Sequence, residues 1–317
     1  SKAFAKQFML RHAIPTASYC EFGAADLHEA TKYLDSQSLP IVLKADGLAA
    51  GKGVIICADR DVAKKEISEM LAGKFGDASA KVVVEAFLDG LEFSVFAVTD
   101  GESYRLLPVA KDYKRIGEGD TGLNTGGMGS ISPVPFVDQA MMDKVEERIV
   151  RPTIAGIKSD GLDYKGFLFF GLIEVDGDPF VIEYNCRMGD PETQSVFPRI
   201  QNDLLELCIK IANRGLKDTR IDIDAKTVAT VVMVSGGYPG SYEKGKPIEG
   251  LNNVENSLVF HAATKNENGQ LLSSGGRVLA ITSYGQNMKE ALAQSYNQIK
   301  RISFDDAYYR ADIGFDL

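Results

Sequence analysis

Histidine and cysteine are both scarce, three of the first and four of the second in 317 residues. The cysteines, Cys20, Cys57, Cys186 and Cys208, are scattered and form no Cys-x-x-Cys pair. That argues against a nitrogen–sulfur zinc site, and buried free thiols in a reducing cytoplasm are the expected state. No apolar run approaches the roughly 20 residues of a membrane-spanning helix. Positive charge is in deficit: the net charge of −9 argues against broad, salt-sensitive nucleic-acid binding, although local positive charge at a phosphate site is compatible with it. Signal peptide, low-complexity linker and internal repeat are all lacking. An initial methionine is lacking too: the chain opens at Ser1 inside a helical pattern, which reads as a fragment or a processed chain.

The length allows a large core and suggests roughly two domains. Residues 1 to 12 read as a helix with Phe4 and Phe8 on one face, ended by Ile14-Pro15. Further helices are expected over 26–36, 61–71, 201–213 and 288–302, and a long one after Asp138, disturbed at Pro152. In the helix 201–213, Asp203 is the expected N-cap and Leu204, Leu207, Cys208 and Ile211 the apolar face. Strands are expected over 41–44, 54–57, 81–88, 92–98 and 104–110, the last two joined at Asp100-Gly101. A second hairpin, 167–175 with 179–185, turns at Asp176-Gly177. Asn124 to Gly129, within a run of six glycines from Gly117, reads as a loop whose backbone lies close to something. Residues 216 to 225 are polar and charged, a plausible boundary before a smaller α+β portion with no recognisable reactive cluster.

Two features carry chemistry. The first is Ile41 to Cys57, two apolar runs flanking Gly47, Gly51 and Gly53, with Lys44 and Lys52 at the edges. Glycines let N–H groups approach a phosphate and a lysine neutralises it. It fails the P-loop pattern in glycine spacing, in Gly53 where the metal-binding hydroxyl belongs, and in the β-branched residues that follow. It reads as strand, glycine loop, strand: a flap able to close over phosphates, and expected to be poorly ordered over 47–53 without nucleotide. An ordinary glycine-containing hairpin is the competing reading. The second feature is Glu183, Asn185 and Arg187 at i, i+2 and i+4. If the strand continues, all three face one way. A carboxylate and an amide oxygen suit Mg²⁺, and an arginine beyond them suits an anionic group. A solvated strand edge is the alternative. Asp190 and Glu192 follow in a turn.

The order of these features resembles the ATP-grasp superfamily, and the wording is most similar to its glycinamide ribonucleotide synthetase (phosphoribosylamine–glycine ligase) members. The matching stretches are Lys44 to Val54, Asn124 to Gly129, Asn185 to Glu192, Gly236 to Gly240, Phe260 to Ala262 and Gly275 to Val278, with similarity running from Ser1 to Phe315. The resemblance implies an α+β ATP-grasp fold, two subdomains gripping ATP, over residues 1–223 with a lid at about 22–92, then a C-terminal α+β domain over 224–317. It implies a ligase of purine biosynthesis that joins glycine to 5-phosphoribosylamine through glycyl phosphate, using ATP and Mg²⁺ or Mn²⁺. Lys2 and Lys44 would contact phosphates and Gly51, Lys52 and Gly53 would close over them. Glu85, Ala86 and Leu88 would border adenine, and Glu92 would meet the ribose. Glu183 and Asn185 would hold the metal, and Arg187 would stabilise the transferring charge. Asp112 and Asp190 would serve the glycine or amine side.

Departures exist. Ala86 stands where members often carry Glu, and Asp112-Tyr-Lys-Arg115 where Asp-His-Lys-Arg is common. No acid on the preceding strand is in step with Glu183; Glu174 is close but out of step. The family's N-terminal domain has no counterpart here, so a longer native chain or a second chain is expected to supply it. Two other functions stay open on the sequence: an ATP-grasp ligase or carboxylase with other substrates, and a non-catalytic nucleotide-binding module.

Overall fold

The computed structural model of the chain describes residues 1–47 and 53–317. The first helix, α1 (Lys2–Arg11), is capped by Ser1, whose hydroxyl accepts the Phe4 N–H. Its buried face is Ala3, Lys6, Phe8 and Met9. Phe4 is 47% exposed, so the expected Phe4–Phe8 face is corrected: the chain turns a lysine inward in place of an aromatic. Strand β1 (Tyr19–Gly23), α2 (Leu27–Ser36), β2 (Ile41–Ala45), β3 (Val54–Cys57), α3 (Arg60–Leu71) and β4 (Lys81–Ala86) follow. The four strands make an antiparallel sheet in the order β1–β4–β2–β3. Leu34, Ile41, Leu43, Ile67, Met70 and Val82 pack under it, fully buried. Each such side chain contributes about 1.5–3 kcal/mol on burial, which lets strands this short hold.

Next come β5 (Leu91–Thr99) and β6 (Tyr104–Asp112). The Asp100 carboxylate holds their turn by accepting from the Glu102 and Ser103 N–H groups at 3.0 and 2.7 Å. Strands β7 (Arg115–Gly117) and β8 (Thr121–Asn124) form a small hairpin before β9 (Gly129–Ser132). The glycine-rich segment is therefore partly strand, and the expected loop narrows to Thr125–Met128. The long helix after Asp138 is α4 (Gln139–Val145), a π-helical turn (Glu146–Val150) and α5 (Arg151–Ser159). Pro152 sits at the second position of α5. A proline lacks an N–H and crowds the carbonyl one turn back, and the wider π turn accommodates both.

Strands β10 (Gly166–Val175) and β11 (Asp178–Asn185) flank the Asp176-Gly177 turn. The Gly177 N–H donates to the Glu174 carboxylate at 2.5 Å, so this acid serves the turn. After α6 (Thr193–Val196), helix α7 (Leu204–Ala212) is capped as expected by Asp203, which accepts from the Glu206 N–H at 2.9 Å. Its buried residues are Leu207 and Ile211; Leu204 and Cys208 are exposed, a narrower apolar face than expected. The chain ends with β12 (Thr227–Val234), β13 (Leu258–His261), β14 (Thr264–Glu267), β15 (Gln270–Ser273), β16 (Arg277–Gly285) and α8 (Met288–Ile299).

The chain divides into two compact units, residues 1–92, 139–163 and 170–184 in one and 93–138, 164–169 and 185–317 in the other. Strands of the second unit run in the hydrogen-bonded order β5–β6–β9–β12–β16–β13. Every residue of β12 is buried, which explains its unbroken run Thr-Val-Ala-Thr-Val-Val-Met-Val: a central strand covered on both faces needs no polar alternation. All four cysteines are free, but only Cys57 is buried; Cys20 is half-buried and Cys186 and Cys208 are exposed. Among the described residues no helix is long and apolar enough to cross a membrane.

Candidate functional site

In the first unit, four charged side chains predicted from the sequence come together with one that was not. Lys44, near the end of β2, and Glu85, near the end of β4, pair at 3.0 Å and are both buried. Lys6 reaches the same Glu85 oxygen at 3.0 Å and is only 2% exposed. Lys6 also donates to the Thr16 hydroxyl and the Ala17 carbonyl, and burial lowers its pKa to about 8 against the opposing pull of Glu85. Lys44 donates in addition to the Ile182 carbonyl on β11 at 3.1 Å. Lys2, at the start of α1, donates to the Ala45 and Gly47 carbonyls at 2.7 and 3.2 Å. Burial lowers the Lys2 pKa, opposed mainly by the field of Glu183. One carboxylate is thus shared by two buried lysines, with Lys2 and Glu183 within electrostatic reach.

The glycine stretch is a hairpin of β2 and β3, with Lys44 opposite Val54 and the Gly53 carbonyl accepting the Ala45 N–H at 2.7 Å. Gly51 and Lys52 lie outside the described residues, as do residues 48–52 of the stretch 47–53 expected to be poorly ordered. Ala86 closes β4, its N–H bound to the Ser18 carbonyl at 3.0 Å. The backbone leaves the ladder beyond it at Phe87 and Leu88, and Glu92 lies on the exposed start of β5.

Glu183 and Asn185 are alternate residues of β11 and project from one face. Their donors are a carboxylate and an amide oxygen, the hard ligands Mg²⁺ or Mn²⁺ takes, so the residues present fit such an ion. Among the described residues there is no group of three or more His, Cys, Asp and Glu able to hold a metal. Arg187 is a correction. The strand ends at Asn185, so Arg187 does not continue the pleat; it is exposed and donates to the Met188 carbonyl at 2.7 Å.

In the second unit Asp112, the last residue of β6, lies 3.6 Å from Lys114. Near it Glu192, only 3% exposed, accepts from the Ser94 hydroxyl at 3.3 Å. Burial, and then the Asp112 charge, push the Glu192 carboxyl up to about 8. Asp190 is half-exposed and is held by Arg277 at 2.7 Å.

The family model for the ATP-grasp (A) domain of phosphoribosylglycinamide synthetase matches residues 1–193, well over half of this chain. The chain belongs to the phosphoribosylglycinamide synthetase family. The C-domain model of that family matches residues 228–316. The phosphoribosylamine–glycine ligase of Chlorobaculum tepidum is 48% identical over 319 residues, 99% of this chain and 75% of the relative. That of Vibrio vulnificus strain YJ016 is 45% identical, covering 99% and 74%. The crystal structure of phosphoribosylamine–glycine ligase from Thermotoga maritima superposes with a TM-score of 0.90 at 36% identity, covering 98% of this chain and 78% of the other. The chain thus spans about three quarters of the length of the curated relatives it matches, and the expected α+β ATP-grasp fold with a C-terminal domain is borne out.

For this synthetase-family chain, the residues alone singled out Lys44, Glu85 and Glu183 and the resemblance added Lys2, while Lys6 and the buried state of Glu192 were missed. Lys6 was legible in one respect: it stands four residues after Lys2, on the same side of α1. Arg277 lay in a quoted motif with no role attached.

Proposed function

We infer that the chain is an ATP-dependent ligase joining glycine to 5-phosphoribosylamine, with glycinamide ribonucleotide, ADP and phosphate as products. The inference rests on 48% identity across 99% of the chain to a phosphoribosylamine–glycine ligase. A glycine carboxylate oxygen attacks the γ-phosphorus of ATP, the bond to the bridging oxygen breaks and ADP leaves. The amine nitrogen then attacks the carbonyl carbon of glycyl phosphate. The carbon–oxygen bond to phosphate breaks, phosphate departs with the bonding pair, and the nitrogen gives up a proton.

We assign Lys44 and Lys2 to the triphosphate and Gly51, Lys52 and Gly53 to its cover. Such a reaction is mostly positioning and neutralisation of charge in a site closed to water. Glu85 is shared by two lysines; Lys44 can therefore turn to a phosphate while Lys6 keeps Glu85 paired. Backbone groups of Glu85, Ala86 and Leu88 suit an adenine edge, and Glu92 the ribose. Glu183 and Asn185 would hold Mg²⁺ or Mn²⁺, which neutralises phosphate oxygens when bound. Arg187 would meet the transferring group by leaving Met188, and Asp112 and Asp190 serve glycine or the amine. On this reading the catalytic region is 1–223, its lid about 22–92, and the C-terminal domain 224–317.

The test is ADP release by the natural full-length protein with Mg²⁺. Release should require both glycine and phosphoribosylamine and stop when a chelator removes the metal. Absence of any glycine-dependent release would overturn the assignment.

A further inference from the structure

Four of the motifs shared with the family meet within the second unit, three of which have no chemical role so far. The Arg277 guanidinium, at the start of β16, donates to three oxygens: the carbonyls of Gly126 and Asp190, both at 2.8 Å, and the Asp190 carboxylate at 2.7 Å. On the other side of the same glycine, the Gly126 N–H donates to the Tyr238 hydroxyl at 2.9 Å. Gly126 is thus held by its carbonyl and its N–H at once. The glycines here are closely approached. A Cβ on Gly126 would lie 2.9 Å from the Arg277 guanidinium carbon. Gly127 has φ +120°, and a Cβ there would lie 2.3 Å from the Pro191 ring. A Cβ on Gly276 would lie 2.2 Å from the Tyr238 ring.

The Arg277–Asp190 pair alone would count for little, since Asp190 is half-exposed and such pairs are worth about 0–1 kcal/mol. What the arrangement provides is geometry. A planar fork bridges two backbone segments and a carboxylate, which a lysine's point charge does not reproduce. Segments that must meet a substrate within a fraction of an ångström lose rate steeply when loosened.

We propose that Arg277 is a positioning residue for the ligase reaction, locking the glycine loop at Gly126 and the Asp190 turn into one rigid surface, with Tyr238 as its second anchor. The proposal rests on the ligase reading above and on Asp190 facing glycine or the amine. It gives the C-terminal region a part in catalysis through the loop it holds.

The test uses the natural full-length protein with Arg277→Ala, Arg277→Lys and Tyr238→Phe. Expected for Arg277→Ala are a kcat lowered tenfold or more, a KM for ATP within twofold of wild type, and faster amide exchange at residues 126–128. Added guanidinium should recover part of the kcat of Arg277→Ala, whereas Arg277→Lys stays slow. Tyr238→Phe should speed exchange at Gly126 and lower kcat less. Should Arg277→Ala not fold, Arg277→Lys and Tyr238→Phe carry the same comparison. The proposal is overturned if folded Arg277 variants keep kcat within twofold, if exchange at 126–128 is unchanged, or if kcat falls only in step with thermal stability without guanidinium rescue. A wild type without glycine-dependent ADP release would instead sink the ligase reading, and the exchange measurements would still decide whether Arg277 fixes the loop.

Discussion

Glu192 is a carboxyl that its surroundings keep from ionising. It is buried, receives the Ser94 hydroxyl, and faces the Asp112 charge with Lys114 beyond, and its pKa is pushed up to about 8 from an ordinary 4.5. A carboxyl with its folded pKa above the unfolded one binds its proton more tightly when folded. Its contribution to stability is fully present below about 4.5 and is lost as pH rises through about 8. Glu192→Gln, which stays neutral, should therefore become steadily more stable relative to wild type between pH 5 and pH 8.5. Urea denaturation at three pH values checks this, and parallel profiles for the two proteins would refute it. Lys6 shows the same physics with the opposite sign, burial lowering a cation. Neither residue's state was legible in the sequence. A periodic pattern shows that a helix has an inner face, but a lysine on that face looks like any surface lysine until its partner, Glu85, arrives from 79 positions away along the chain.

Helix α7 was legible because its signals are local. Asp203 accepts the Glu206 N–H, satisfying one of the donors a helix start leaves open. Asp203→Ala should cost about 1 kcal/mol, lowering the midpoint of the second unit's unfolding by about 2–4 °C. Calorimetry checks it, with Asp203→Asn expected to stay near wild type; an equal loss in both would point away from the cap. The turns at Asp100-Gly101 and Asp176-Gly177 were legible for the same reason. Elements decided by distant partners were not. The β7–β8 hairpin lies inside a glycine-rich segment with no apolar alternation, and only its pairing makes it strand. The end of β11 at Asn185, which takes Arg187 out of line with Glu183, likewise left no mark in a run that reads as continuous strand.

Each compact unit is assembled from separated stretches of chain, one from three and the other from three, so a division read along the sequence describes a different property from compactness. The resemblance, by contrast, was legible end to end, because its matching stretches are strings of fixed residue type and spacing, where packing fixes only size and polarity. Linkage offers a test on the molecule as a whole. A ligand that binds only the folded state at 100 times its Kd adds about 2.7 kcal/mol. For Mg·ATP that should raise the thermal midpoint by several degrees, although the net charge is −9, since Lys2 and Lys44 sit on the first unit irrespective of the overall balance. If Glu183 holds the metal, Glu183→Ala should lose the increment that Mg²⁺ adds to the ATP shift while keeping the shift from ATP alone. Differential scanning fluorimetry with and without Mg²⁺ separates the two increments. An unaltered Mg²⁺ increment in Glu183→Ala would remove Glu183 from the metal site. Loss of both increments would mean that Glu183 acts on Lys2 and nucleotide binding through its field, without holding the ion.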